Sequence, residues 1–410
     1  MLNSILEATG LDSQTCADLL GINRDVLVEW TAAQRSIPES YVALLSDALG
    51  VDVETLTKSV RHSRSQRDSD ITPAIWYKFK GENLVSADRE AVFLIRQIGH
   101  FQNEIEHVTG KRSVAWKPTF DAIRKEIDSQ APPGEQGRKA ARILRESTGL
   151  AHGATGIGEV FRGNLRRQGI LIIESPLPES RVEGCSYNVG AHPDERPCIF
   201  ANTHHTTWFR RNAILIHELG HAIFDSTSAA ASLDFRGFGE GKEVSEQRAE
   251  AFAQEALIPR EVLFHAVQSH GIKWDSISAE GLATLVATTH VELRMVIKAA
   301  ASGGFISDAD AERLSELNIT EYLRSLSDHA LTTTEYLATL SEEKKSKLLI
   351  GNRTATNPSR SIRLPIQYVM TVVEAVRDRQ ISTGKAAEFL MISKQDLESR
   401  FGNHLGINED

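Results

Sequence analysis

Ile214-Leu215-Ile216-His217-Glu218-Leu219-Gly220-His221 is the stretch on which the reading of this chain turns. In a helix, residues four apart share a face, so His217 and His221 can present both imidazoles to one metal ion. Glu218 then stands beside that ion, where a general base must be to take a proton from an attacking water. The apolar run Ile214-Leu215-Ile216 suits a helix buried in a domain core. The plainer alternative is a core helix with two ordinary histidines. It loses weight because a catalytic zinc usually has three protein ligands, and the following segment offers a third.

That segment, Glu246-Gln247-Arg248-Ala249-Glu250-Ala251-Phe252-Ala253, falls in a helix expected from about Val244 to Leu257 and ended by Pro259. Glu246 and Glu250 are four apart and share a face with the small residues Ala249 and Ala253, so this helix can approach the first one closely. A carboxylate on such a face is costly unless it is paired or metal-bound. Glu246 is therefore assigned as the third ligand. Glu250 is assigned to accept a hydrogen bond from the free N–H of a ligand histidine, which fixes its tautomer. The exchanged assignment is the alternative. An oxyanion formed during hydrolysis needs a further donor, and His192, His204, His205 and Tyr187 are the candidates.

The 410 residues allow two to four domains, and 41% hydrophobic with 25% charged residues describe a globular protein. No apolar run is long enough to span a bilayer, and no basic-then-hydrophobic leader opens the chain. The cysteines Cys16, Cys185 and Cys198 lack metal-site spacing and are too few for a disulfide framework; they read as buried thiols. The expected compartment is the cytoplasm.

Five segments are expected. Residues 1–57 read as short helices: Ser13 caps one through Leu20, Asn23 caps another from Arg24 to about Ala33, and Tyr41 to Leu49 is a third apolar-periodic stretch. Residues 58–72 read as a linker. Residues 73–132 hold the aromatic cluster Trp76-Tyr77-Lys78-Phe79 and a long helix from Ser86 to about Val108. Residues 133–305 carry the chemistry. Helices are expected there at 137–147 and 156–168, a strand at 170–173, and a strand pair at 182–189 and 196–202. The glycine-containing stretch 226–241 reads as flexible, either a lid or an ordinary connection. Residues 306–410 are mostly helical, and Ser382 to Phe401 looks like a second helix-turn-helix. The fold class is α+β, mainly helical, with a small sheet around the metal-binding helix.

Residues 1–57 resemble the Cro/repressor (XRE) type of helix-turn-helix through Gln14, Ala17, Leu20-Gly21-Ile22, Val28, Trp30, Pro38 and Leu49-Gly50-Val51. The resemblance implies contacts with DNA or a partner through Gln14, Asn23 and Arg24. Nine acidic residues against two basic ones, Arg24 and Arg35, give the segment a net charge of −7 within a chain of −9. Affinity for DNA rests on neutralising phosphates, so tight autonomous binding is not expected, although Arg61, Arg64 and Arg67 could form a basic arm. The segment is instead expected to pair with a protein that carries its own helix-turn-helix, to dimerise, or to hold the chemistry-bearing block 133–305 inactive until a signal arrives.

Residues 135–305 resemble the ImmA/IrrE family of metallopeptidases through Arg210, His217-Glu218-Leu219-Gly220-His221, Glu246, Ala249, Phe252-Ala253 and Leu257-Ile258-Pro259. Glu250 departs from the family, which commonly has asparagine there. The resemblance implies a gluzincin-like fold, a Zn2+ ion, and cleavage of a helix-turn-helix repressor in a stress-response, mobile-element or defence circuit. The alternative is a DNA-binding transcription regulator whose metallopeptidase fold serves as a sensor or partner-binding module. The intact Glu218 argues against it, because a sensor has no need of a general base.

Overall fold

The run Ile170-Leu171-Ile172-Ile173 is apolar at every position because the sheet it enters is covered on both faces. In the computed structural model, strands β1 (Leu171–Ser175), β2 (Val182–Val189), β3 (Arg196–Asn202) and β4 (Ser232–Phe235) form one sheet in the order β1-β3-β2-β4. β1 runs parallel to β3; β3 with β2, and β2 with β4, run antiparallel. Successive side chains alternate between faces. Ile172, Ile199 and Ala201 join one core, while Leu171, Ile173, Cys185, Tyr187, Cys198 and Phe200 join a second. The strand pair 182–189 and 196–202 is present at the expected bounds. The stretch 226–241 differs from a flexible connection at 232–235, where backbone pairing with β2 makes it the edge strand β4.

The structure describes residues 13–20, 22–32, 34–38, 86–111, 115–148, 157–189, 196–204, 206–225, 232–235, 244–327 and 366–405, with a few single positions between them. The expected linker and the aromatic cluster 76–79 lie outside these, as does most of the third N-terminal helix. Helices α1 (Ser13–Leu20) and α2 (Arg24–Thr31) come first, then α3 (Ser86–Val108), α4 (Trp116–Glu126), α5 (Pro133–Ser147) and α6 (Ile157–Gln168). After β3 come α7 (Trp208–Phe224), α8 (Val244–Leu257), α9 (Arg260–Ser269), α10 (Ala279–Thr289), α11 (Leu293–Ser302), α12 (Asp308–Ser315) and α13 (Thr320–Leu326). The last are α14 (Ile366–Arg377), α15 (Thr383–Phe389) and α16 (Lys394–Leu405). Among the described residues, no helix is long and apolar enough to cross a membrane.

The first sheet face carries the helices that bring His217, His221 and Glu246 together. Its core takes Phe120, Ala140 and Leu144 from α4 and α5, Leu215 and Leu219 from α7, and Phe252 and Ala253 from α8. It continues past residue 305 through Leu314, Ile319, Leu323 and Ala330, and Thr332 bridges back to Thr207 at the start of α7. The second face is covered by α3, which precedes the sheet in sequence, and by the C-terminal helices α14 to α16. Ile95, Ile98, Phe101 and Ile105 of α3 pack there with Tyr368, Val369, Val372, Phe389 and Leu397 of α14 to α16. α3 is buried at these four positions, spaced three or four residues apart, whereas Val108 at its end is 43% exposed. The buried Asp88 ties α3 to the sheet, accepting from the Arg181 guanidinium (2.9 Å) and backbone N–H (2.7 Å). Cys16, Cys185 and Cys198 are buried and unbridged.

Candidate metal centre

α7 starts at Thr207, whose hydroxyl accepts from the Arg210 N–H at 3.3 Å. Arg210, Ile214, His217 and His221 then fall along one stripe of the helix, three or four residues apart. α8 crosses beside this helix. A Cβ added at Gly220 would stand 3.0 Å from Ala249 Cα and 3.2 Å from the Phe252 ring, so glycine and alanine together set the spacing of the two helices. Ala249 and Ala253 are buried in that contact, as their small size led one to expect. The close approach carries Glu246 to the histidines.

His217 Nε2 lies 3.1 Å from His221 Nε2 and 3.4 Å from Glu246 Oε2, and His221 Nε2 lies 3.6 Å from Glu246 Oε1. Zinc bonds of ordinary length, arranged tetrahedrally, put neighbouring donors about 3.3 Å apart. The three donors therefore fit a tetrahedral ion with its fourth position open. The donor chemistry agrees. Burial opposes a charge on His221, but hydrogen bonds to Asp225 and Glu246 and the charges of Glu218 and Glu246 outweigh it and raise the imidazole to about 10. Burial also opposes a charge on Glu246, yet its hydrogen bonds to His217 and His221 hold it well below the usual carboxylate range. A field that binds a proton this firmly also suits a dication.

Glu218 is fully buried on the sheet side of α7. It fits because β2 has glycine opposite: a Cβ at Gly184 would overlap the Glu218 carboxylate and stand 2.8 Å from Ile214 Cγ2. The pairing of β2 with β4 shifts register between Val182 and Gly184. This turns Glu183 toward α7, where it accepts from Arg210 at 2.6 Å. Arg210 also donates to Glu292, the N-cap of α11, at 3.1 Å. Burial disfavours the Arg210 charge, but Glu292 and Glu183 together hold its pKa above its ordinary value. The trio fixes β2, α7 and α11 around the site.

The carboxylate beside His221 is Asp225, with Oδ2 2.8 Å from Nδ1. Glu250, expected in such a place, is instead paired with Lys298. Four residues on from Glu246 it sits a full turn farther along α8, about 6 Å away, whereas Asp225 is four residues from His221 itself. The spacing from His221 to Asp225 was a readable signal that the sequence reading passed over, and Arg248, which holds Asp225, was passed over too. Tyr187 points to the opposite sheet face, where its hydroxyl donates to Ile95 O at 2.8 Å, so it is removed from the oxyanion candidates. His204 is half-buried just after β3, and His192 and His205 lie outside the described residues. Far from this cluster in sequence, Gln14, Asn23 and Arg24 are all exposed, and Asn23 caps α2 by accepting from the Asp25 N–H at 2.9 Å.

No curated protein and no solved structure matches the chain. One family model does: residues 165–296, from the end of α6 to the start of α11, match the IrrE N-terminal-like domain (Peptidase_M78). The stretch that contains the whole sheet, His217, Glu218, His221 and Glu246 is thus similar to a family of metallopeptidase-type hydrolase domains.

Proposed function

We propose that this protein is a zinc-dependent endopeptidase with a gluzincin-like catalytic domain, and that it cleaves a helix-turn-helix repressor in the cytoplasm. One observation carries the reading: three donors at tetrahedral spacing with a buried carboxylate, Glu218, on the same helical turn. His217, His221 and Glu246 would hold the ion, which when bound supplies Lewis acidity toward a peptide carbonyl. Glu218 takes a proton from the water that adds to the scissile carbonyl carbon. It then delivers that proton to the departing amine nitrogen as the C–N bond breaks. Gly184, having no side chain, leaves the space that the Glu218 carboxylate occupies.

The N-terminal helices support a protein partner over DNA. Arg35, one of two basic residues there, is 3.5 Å from Glu29. Val28 is 45% exposed on α2, one turn from Arg24 and three residues from Asp25, an apolar and mixed-charge face that suits a protein surface. This segment is accordingly assigned to substrate pairing or self-association.

The test is incubation of the zinc-loaded protein with helix-turn-helix repressors encoded beside its gene. The wild type is expected to cut one of them at a defined bond. Glu218→Gln is expected to bind the same zinc and leave the repressor intact. Equal cleavage by the variant removes Glu218 from the mechanism.

A further inference from the structure

We infer that Asp225 and Arg248 form a positioning pair for the ligand His221, an inference that rests on the zinc reading above. Asp225 is the first residue beyond α7, and it meets His221 twice. Its backbone N–H donates to His221 O at 2.8 Å, closing the helix, and its Oδ2 lies 2.8 Å from His221 Nδ1. An ionised carboxylate only accepts, so Nδ1 must carry the hydrogen. In the neutral ring this leaves the lone pair on Nε2, the atom that faces His217 and Glu246. The His221 side chain is only 2% exposed, so solvent is a poor substitute for Asp225 at Nδ1.

Asp225 is held in turn. Its Oδ1 accepts from the Arg248 guanidinium at 2.5 Å. That guanidinium also donates to Gln136 Oε1 at 3.2 Å and lies 4.5 Å over the Phe224 ring. Gln136 is fixed by its own amide, which donates to Ala131 O at 2.8 Å. The chain from His221 through Asp225 and Arg248 to Gln136 thus ties α7, α8 and α5 together. Arg248 is two residues from Glu246, so α8 delivers both the third ligand and the group that locks the second. α5 can come this close because Gly137 faces the α8 backbone, where a Cβ would stand 2.8 Å from Phe252 N.

A plain helix staple would affect stability alone. A positioning pair also changes how the neutral ring is presented to a metal. The test uses the full chain and zinc, with affinity measured by competition against a chromophoric chelator. The second readout is the slowly exchanging Nδ1–H resonance of His221 in the zinc-loaded protein. Asp225→Ala is expected to bind zinc about 10- to 100-fold more weakly and to lose the resonance. Asp225→Asn keeps an acceptor and should restore the resonance and most of the affinity. Arg248→Ala should weaken binding by less than Asp225→Ala, with a broadened resonance. Wild-type affinity in Asp225→Ala and Arg248→Ala, with only thermal stability lowered, overturns the positioning pair while the zinc site stands. Wild-type protein that takes up no zinc, or His217→Ala that binds as tightly as wild type, overturns the zinc reading and the pair with it.

Discussion

Gly220→Ala sets two effects of opposite sign against each other. In the interior of a helix, alanine in place of glycine gains about 1 kcal/mol. Here the new methyl would stand 3.0 Å from Ala249 Cα and 3.3 Å from Ala249 Cβ, both on a neighbouring helix and not on a flexible side-chain end. Ordinary carbon contacts are about 3.5–4.0 Å, so α8 must move away by roughly 0.5 Å or more at that point. Overpacking of this kind costs about 1–3 kcal/mol, which offsets or exceeds the propensity gain. Glu246 is one turn from Ala249 on the same face and moves with it. Metal sites tolerate ligand displacements of about 0.2 Å, so zinc affinity should fall at least ~10-fold. Thermal unfolding of the metal-free protein and chelator competition read the two effects separately. A variant with raised Tm and unchanged zinc affinity would refute the claim that Gly220 sets the ligand geometry.

Four further outcomes follow from the same contacts. Gly184→Ala meets the Glu218 carboxylate but no metal ligand, so it should keep zinc and lose at least ~100-fold in hydrolysis, the scale of a general base; loss of zinc in this variant would contradict the placement of Gly184. Arg210→Ala leaves the part-buried carboxylates Glu183 and Glu292 facing each other without the guanidinium between them, and should lower stability by about 2 kcal/mol in urea unfolding, less than a fully buried pair because Arg210 is 37% exposed. A change under 1 kcal/mol, roughly the value of an exposed pair, counts against the anchoring role. The three buried thiols should resist a thiol reagent in the native protein and react together on unfolding; a fast-reacting native thiol places at least one outside the core. Burial raises the Cys198 thiol from 9.0 to about 12, with Tyr187 and Arg196 only partly opposing it. A raised value means the stabilisation is complete below pH 9 and is lost as pH climbs toward 12. Against a Cys198→Ala control the wild type should lose up to about 4 kcal/mol across that window, and parallel profiles would contradict it.

The parts of the fold that sequence revealed are those written in local periodicity. Helix α8 and the pair β2 and β3 lie where spacing and turn residues put them, because each pattern repeats within a few residues. The approach of α8 to α7 was legible from Ala249 and Ala253, since small residues on one stripe leave room for a neighbour. What escaped depends on long-range contact. The apolar strand β1 does not say which helices cover it, and its second face is covered by α3 and α14 to α16, about 70 residues before it and 200 after. The shifted register at Glu183 leaves no trace in hydropathy, yet it decides that Glu183 meets Arg210. Glu250 shows the limit of helix-face reasoning: spacing placed it on the right helix, and the competing cation Lys298 decided its partner.

The claim on which the rest depends is that His217, His221 and Glu246 hold one metal ion. Elemental analysis of the purified full chain, after reconstitution with zinc and removal of the excess, tests it most directly. The account predicts about one zinc per chain in the wild type and in Glu250→Ala, and none in Glu246→Ala. No stoichiometric zinc in the wild type, or zinc retained in Glu246→Ala, would contradict it.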